Sequence, residues 1–474
     1  MKVFLLITKA EVGGAQMSVL NLARGLKDRG VEVKVGFGEG EFLPQELKKE
    51  GIPYTRFKYL KRTHNPLSNL FFIREVKKYF NENDYEVVHI NSSNALFAAA
   101  GTKLSKNKPK TVFTFRGMSM LDDNYRKTPV LKVFYKLFFQ FFLQFVDEPV
   151  FVSKHNLELG KKLGLAKKEN LVYNGIDKSV QNFYTRQKAQ EKLQKLLPLS
   201  RPELVEGVRG KLEGISLKNK KPLLNPPLAK GRKYSPPSRP EPVERVKGRK
   251  NKTLPLTKGE PEGVASKNTE PLLDPPLVKG RRSKYSPPLQ GGVRGGSPFQ
   301  NHFLIGSIGR LAYQKNYEFL INIFPEILKI KPEAKAVIIG DGPKKEEYEE
   351  MIRKRELQDK IILAGSISNA SQYLRAFDLF VLPSRYEGLS ITLIETLFSG
   401  VPVLATDVGG NPETLPSDQE IYGLDDKKEF LDKFQKLISK EEREKISRQN
   451  LEHSKNFTLD KTIQGYQKTY NKKI

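Results

Sequence analysis

FDLFVLPSRYEGLSITLIETLFSGVPVLATDVGGNPE, residues Phe377 to Glu413, is the stretch from which the rest of the chain is read. Its apolar opening, Phe377 to Leu382, predicts a buried strand, and Pro383-Ser-Arg-Tyr-Glu-Gly388 predicts a polar turn. Ser390 to Phe398 has helical periodicity and is closed by Ser399-Gly400; a second strand, Pro402 to Thr406, leads to Gly409-Gly410. Two carboxylates stand eight residues apart, Glu387 in the turn and Glu395 about two turns into the helix. A strand, a loop and a helix N-terminus in that order suit a phosphate-bearing ligand, because the free N–H groups and the positive helix end meet it.

Working outward, the same alternation recurs. Upstream, the strand at 303–308 runs into Gly309-Arg310-Leu311 with Lys315 close behind, and the strand at 336–339 into Gly340-Asp-Gly-Pro343. Arg310 and Lys315 are two cations suited to a pyrophosphate, one as a bidentate fork and one as a point charge. Gly388 and Leu389, at the start of the following helix, add backbone donors. Glu395 can accept from vicinal hydroxyls, and Glu387 can hold sugar hydroxyls or counter charge at a reacting carbon. In the N-terminal half, the strand at 2–7 is followed by Gly13-Gly14 opening a helix, where Gly14 allows close backbone approach. VVHI places His89 at a strand end, and the strand at 111–115 is followed by Arg116. Strands alternating with helices imply parallel sheets covered on both faces: an α/β chain of two Rossmann-like halves facing a cleft.

Composition narrows the class. The chain has 474 residues, no cysteine and no tryptophan, so neither a disulfide framework nor a cysteine metal site is expected. No apolar run reaches the ~20 residues of a membrane span, and a protein of the cytoplasm is expected. The net charge of +28 is concentrated: residues 198–298 hold 22 Lys/Arg against 9 Asp/Glu, leaving +15 for the remainder. The same tract contains 17 of the 30 prolines and repeats itself, PLLNPPLAKGRKYSPP from Pro222 returning as PLLDPPLVKGRRSKYSPP from Pro271. Such a segment buries too little apolar surface to offset its ordering entropy, so it is expected to be a disordered Pro/Gly/basic insertion. No specific nucleic-acid partner is expected from it.

Arg126 to Val146, RKTPVLKVFYKLFFQFFLQFV, stands out by its six phenylalanines between Phe134 and Phe145, with Lys132, Lys136, Gln140 and Gln144 as a polar stripe every four residues. Two readings are open: a helix packed between sheet and neighbours, or one that lies on a membrane surface.

The motifs together resemble a large family, the GT-B-fold retaining glycosyltransferases of family four, also called glycosyl transferases group 1. EGLSITLIE, with Glu387 and Glu395, is similar to that family's C-terminal Glu-x7-Glu element. GRLAYQKN at Gly309–Asn316 is similar to its Gly-Arg-Leu…Lys-Gly element, with Asn316 where glycine is commoner; IIGDGP, VYNGID at Val172–Asp177 and GGAQ at Gly13–Gln16 match as well. The resemblance implies transfer of a hexose from a nucleotide diphosphate sugar, with retention, to a cell-envelope glycan or lipid-linked acceptor, without metal or further cofactor. It implies Arg310 and Lys315 at the diphosphate, Glu395 at the ribose, Glu387 at the donor sugar, Gly388 and Leu389 beside it, and Gly14 near the phosphates. Many relatives have a histidine after the Thr-Phe pair corresponding to Thr114-Phe115; here Arg116 stands there, with His89 near the same strand edge, and both join Glu387 as catalytic candidates. Arginine cannot shuttle a proton at neutral pH and could act only on charge. The implied domains are 1–177 completed by a returning helix at 457–474, and 178–197 with 299–456, with 198–298 inserted. An epimerase-like enzyme on the same plan, or an inactive nucleotide-sugar-binding relative, are the alternatives. Contact with the inner face of the membrane is a further expectation.

Overall fold

The computed structural model describes residues 1–11, 13–63, 65–118, 120–124, 129–177, 182–197, 299 and 301–472. The expected disordered insertion at 198–298 lies outside the described residues.

The first sheet has seven strands: β1 (Lys2–Lys9), β2 (Glu32–Glu39), β3 (Tyr54–Arg56), β4 (Val87–Ile90), β5 (Lys110–Phe115), β6 (Glu148–Phe151) and β7 (Asn170–Leu171). They pair in the order β3-β2-β1-β4-β5-β6-β7, every pair parallel. The interior strands β4 to β6 are buried throughout, as expected for a sheet covered on both faces. One face packs on α1 (Gly14–Lys27) and α2 (Phe42–Lys49), the other on α3 (Pro66–Glu82), α4 (Phe97–Lys103), α5 (Pro129–Phe142) and α6 (Lys154–Lys162).

The second sheet has six parallel strands: β8 (Phe303–Ile308), β9 (Ala334–Ile339), β10 (Ile361–Gly365), β11 (Leu379–Leu382), β12 (Val403–Thr406) and β13 (Ile421–Tyr422), ordered β10-β9-β8-β11-β12-β13. Counted from each sheet's first strand, both follow the order 3-2-1-4-5-6, to which the first sheet adds a seventh strand at its edge. The strand order therefore reverses between β1 and β4 in one sheet and between β8 and β11 in the other, and such switch points open a crevice beyond the carboxyl ends of the strands.

The helix Leu459–Asn471 covers the first sheet. Leu459, Ile463, Tyr466 and Tyr470 join the core formed by β1, β2, α1 and α2. Gly25 lets it come close, since a Cβ there would lie 2.1 Å from Ile463 Cδ1. Lys110 Nζ, buried, donates to the carbonyls of Thr469 (2.8 Å) and Tyr470 (3.2 Å), a cation capping the negative end of that helix.

Residues 93–104 begin as a 3-10 turn, Ser93–Leu96, before α4, and 370–376 is 3-10 throughout. Within that aromatic stretch the described residues form α5 followed by a 3-10 turn at Leu143–Phe145, and the polar stripe does not mark the helix's outer face. Gln140 donates to Leu163 O (3.1 Å) and Lys132 to Asp123 (2.9 Å), while Val130, Val133, Phe134, Leu137 and Phe141 stand 55–79% exposed. Among the described residues no helix is long and apolar enough to cross a membrane.

Candidate active site

The loop after β8 and the loop after β11 lie side by side because their strands are neighbours at the second sheet's switch point. Lys315, on a 3-10 turn at Tyr313–Lys315, donates to Glu387 Oε1 at 2.7 Å. Ser384 Oγ donates to the same oxygen at 2.7 Å, and Gln314 Nε2 reaches Glu387 Oε2 at 3.4 Å and Tyr386 O at 3.1 Å. Both charges are largely withdrawn from water, the side chains being 13% and 7% exposed, so the pair is screened much less than a surface ion pair. Arg310, on the same loop, is exposed and has no hydrogen-bonding or ionic partner among the described residues.

Asn316 explains itself once its backbone is known. It adopts φ 53°, ψ 38°, the left-handed region open to glycine and tolerated by asparagine, and it turns the chain into the helix Tyr317–Ile330. Its buried Nδ2 donates to Asp425 Oδ1 at 2.9 Å. The Gly340–Pro343 turn braces the Arg310 loop: Leu311 N donates to Asp341 O and Lys344 N to Leu311 O, both at 3.0 Å.

Beyond Glu387, Ser390 caps the helix Ile391–Ser399 through Leu393 N, and Gly400 ends it at φ 76°. Its N-terminus therefore opens on Gly388 and Leu389. Glu395 is half-buried one turn further along.

The first sheet brings its own strand ends to the same place. Arg116 O lies against Gly388 so closely that a Cβ on Gly388 would be 2.1 Å away. Gly14, at the start of α1, faces Ile391 across the cleft, with 3.8 Å between a Cβ on Gly14 and Ile391 Cγ1. Asn174 Nδ2 donates to Leu389 O at 3.3 Å. The first two residues of α6 donate their N–H groups to Glu413, Lys154 N at 2.7 Å and His155 N at 2.8 Å, so a carboxylate from one half seats on a helix N-terminus of the other.

Arg116 is held by two asparagines. Nη1 donates to Asn174 Oδ1 at 2.7 Å and Nη2 to Asn91 Oδ1 at 2.6 Å, while its buried Nε finds no partner and no carboxylate among the described residues lies within ion-pair range. His89 is elsewhere. Fully buried on β4, it bonds Tyr470 OH through Nδ1 and Thr114 Oγ1 through Nε2, both at 2.7 Å. Burial, with the Arg116 charge as a smaller cause, holds its imidazole well below its ordinary pKa. His89 therefore fastens the helix Leu459–Asn471 to the sheet rather than facing the cleft.

Glu387, Lys315, Gly388, Leu389, Arg310, Gly14 and Arg116 thus gather where the two sheets' carboxyl edges meet. Reasoning from sequence missed the side chains that tie these loops together: Ser384, Gln314, Asn91, Asn174 and Glu413. Asn174 lies in VYNGID and Glu413 closes the opening stretch, so the motifs were visible and their cross-cleft bonds were not.

The family model "Glycosyltransferase Family 4" matches residues 12–180, and "Glycosyl transferases group 1" matches 295–453. Similar curated proteins include an uncharacterized glycosyltransferase of Methanocaldococcus jannaschii, 30% identical over 200 residues (35% of this chain, 49% of the relative). Another is the lipopolysaccharide core biosynthesis mannosyltransferase LpsB of Rhizobium meliloti, 31% identical over 177 residues (35% of this chain, 50% of the relative). The chain spans about half the length of these curated relatives. Among solved structures, Anabaena HepE in complex with UDP and glucose superposes with a TM-score of 0.64 at 16% identity, covering 99% of each chain. Sucrose-phosphate synthase of Thermosynechococcus elongatus gives 0.63 at 14% identity, covering 99% of this chain and 98% of that one. Two sheets of the same doubly wound order, and family models matching on both sides of residues 198–298, lead to one conclusion: the chain belongs to the GT-B-fold glycosyltransferases of family four.

Proposed function

We propose that the protein transfers a hexose, with retention of anomeric configuration, from a nucleotide diphosphate sugar to a cell-envelope glycan or lipid-linked acceptor, in the cytoplasm at the inner face of the membrane. The observation that carries this reading is the Lys315–Glu387 pair beside an unpartnered Arg310 and a helix N-terminus, at a topological switch point facing the other sheet's edge. That set suits a diphosphate next to a polyol. The solved HepE structures contain UDP with glucose, and UDP-glucose, which supports a nucleotide sugar as donor.

In this reading Arg310 and Lys315 hold the diphosphate oxygens. Lys315, drawn to phosphate, releases Glu387, which Ser384 keeps aimed for the sugar hydroxyls. Glu395 takes the ribose hydroxyls, and the Gly388 and Leu389 N–H groups with the positive helix end face the phosphates. The bond between the anomeric carbon and the phosphate oxygen breaks with its electron pair going to the diphosphate. The acceptor hydroxyl adds on the same face and its proton passes to a leaving-phosphate oxygen. Arg310 and Lys315 stabilise the charge that collects there, so no metal ion is called for and no protein base is needed. Arg116 braces the acceptor side electrostatically.

The test is a panel of nucleotide sugars scored by thermal shift, since a bound donor stabilises the native state by mass action. The stabilising donor is then followed by NMR for release of free sugar or transfer product. A donor that is bound and slowly hydrolysed or transferred with retention supports the reading. Binding without turnover makes the protein an inactive relative, and isomerised nucleotide sugar makes it epimerase-like.

A further inference from the structure

Arg116 keeps a charge that the rest of the fold does not neutralise. It is half-buried just past the carboxyl end of β5. The other half-buried arginines among the described residues each face a carboxylate: Arg24 meets Glu50 at 2.6 Å, Arg385 meets Glu318 at 2.8 Å and Arg443 meets Asp378 at 3.8 Å. Arg116 meets two neutral amide oxygens instead, Asn174 Oδ1 at 2.7 Å and Asn91 Oδ1 at 2.6 Å, and its buried Nε has no partner among the described residues. Withdrawing a cation from water without a counter-charge is costly, so its place in the cleft calls for an anion that arrives with a ligand.

The two asparagines fix the guanidinium in place. Asn91 and Asn174 are 1% and 4% exposed, and each directs its amide NH2 to a backbone carbonyl, Asn91 to His89 O (3.1 Å) and Asn174 to Leu389 O (3.3 Å). Their oxygens are thereby turned to Arg116, and flipping either amide would break both of its bonds. His89 and Thr114 precede Asn91 and Arg116 by two residues, on the same sheet face, and with Tyr470 they form an uncharged chain. The guanidinium is therefore backed by neutral groups. Each Nη gives one N–H to an asparagine and retains one, within a planar fork that matches a carboxylate.

Position selects among anions. A diphosphate already has Arg310, Lys315 and the N-terminus of the helix Ile391–Ser399, all from the second sheet's half. Arg116 comes from the first half and approaches the loop that follows Glu387: its carbonyl lies against Gly388, and Asn174 links its guanidinium to Leu389 O. Glu387 can accept from sugar hydroxyls but repels an acidic sugar, which therefore needs a cation on the opposite wall. We propose that Arg116 selects the donor: the sugar transferred is a hexuronic acid, whose carboxylate pairs with the Arg116 guanidinium. The selection presupposes that the cleft takes a nucleotide diphosphate sugar.

Isothermal titration of the full-length protein at about 0.15 M salt, with matched probes, is the test. UDP-glucuronate is compared with UDP-glucose and UDP, and GDP-mannuronate with GDP-mannose and GDP. In the expected result one uronate binds at least about tenfold tighter than its neutral counterpart. Arg116→Gln abolishes that preference while changing affinity for the bare nucleoside diphosphate less than about threefold, and Arg116→Lys, which keeps the charge and loses the fork, retains part of it. The comparison within the unaltered protein does not depend on any variant folding. A neutral sugar bound as tightly as its uronate overturns the proposal and leaves the nucleotide-sugar donor standing. So does an equal loss of the bare diphosphate and the uronate in Arg116→Gln, which would put the guanidinium on the phosphates. Failure of every probe to bind refutes the nucleotide-sugar donor itself, and the selection with it.

Discussion

Gly388→Ala should cripple the protein for a purely steric reason. The added methyl would stand 2.1 Å from Arg116 O and 3.1 Å from Gly117 Cα, both backbone atoms of the opposite half. Neither Gly388 nor Gly117 has a left-handed φ, so conformational preference is not at issue. Regaining an ordinary contact near 3.4 Å requires the two loops to part by roughly 1.3 Å. Retreat the other way is blocked, because Gly388 O already accepts from Gly410 N at 2.9 Å. The Asn174–Leu389 bond, at 3.3 Å, would be lost as the loops separate. Overpacking of this kind costs about 1–3 kcal/mol, and a displacement of about 1 Å at reacting groups can cost on the order of 100-fold in rate. The assay is the melting temperature of the free protein together with the rate of sugar transfer at saturating donor. Gly117→Ala is the matched control, since its Cβ would lie 3.8 Å from Gly388 Cα and fit. A Gly388→Ala protein with unchanged melting temperature and a rate within threefold of the parent refutes the reasoning. Equal damage from Gly117→Ala would refute it too, by showing that close approach is not the cause.

Arg310→Ala and Glu387→Ala should each lower transfer at least tenfold while His89→Ala affects stability more than rate, compared as kcat and melting temperature of the three variants. Chelation with EDTA should leave the rate within twofold; abolition restored by a divalent cation would contradict the proposed role of Arg310 and Lys315. His89, its pKa depressed by burial, stays neutral in the fold while the unfolded chain takes up a proton below about pH 6.5, so stability should fall as pH drops through that value, and denaturant titration of His89→Gln should lack that loss. Glu420 acts with the opposite sign: burial pushes its carboxyl up to about 8, so between about pH 4.5 and 8 the fold holds a proton that the unfolded chain releases, and stability declines as pH rises across that window. Glu420→Gln should flatten that decline. Asn316→Val should destabilise by about 1–2 kcal/mol or more through its left-handed backbone, whereas Asn316→Gly should be mild, both read by urea unfolding.

Both sheets were legible because buried parallel strands read as unbroken apolar runs and the intervening helices keep their 3.6-residue period. The neighbourhood of Lys315 and Glu387, 72 residues apart, was visible only through the family motifs, since no periodicity states that β8 lies beside β11. Contacts such as Asn174 to Leu389 and α6 to Glu413 join halves far apart in sequence and leave no local pattern. α5 shows a different limit. Apolar on most of its circumference, it offers no periodic signal for which side faces the sheet, and its polar stripe turned out to begin on the inward side, with Lys132 near Phe139, rather than to mark the outer face. His89 was indistinguishable by sequence from a cleft residue because its partner Tyr470 is 381 positions away.

That distance has a consequence for how the protein is made. The helix Leu459–Asn471 supplies a wall of the first sheet's core, the cap contact of Lys110 and the partner of His89, yet it is synthesised roughly 290 residues after β7. At about 5–20 residues per second the first sheet waits on the order of 15–60 s with part of one face uncovered, long enough for chaperones or misassembly to compete. Each residue between the two halves lengthens that interval, so shortening the intervening tract should raise the yield of soluble protein even if it changes nothing in the finished fold.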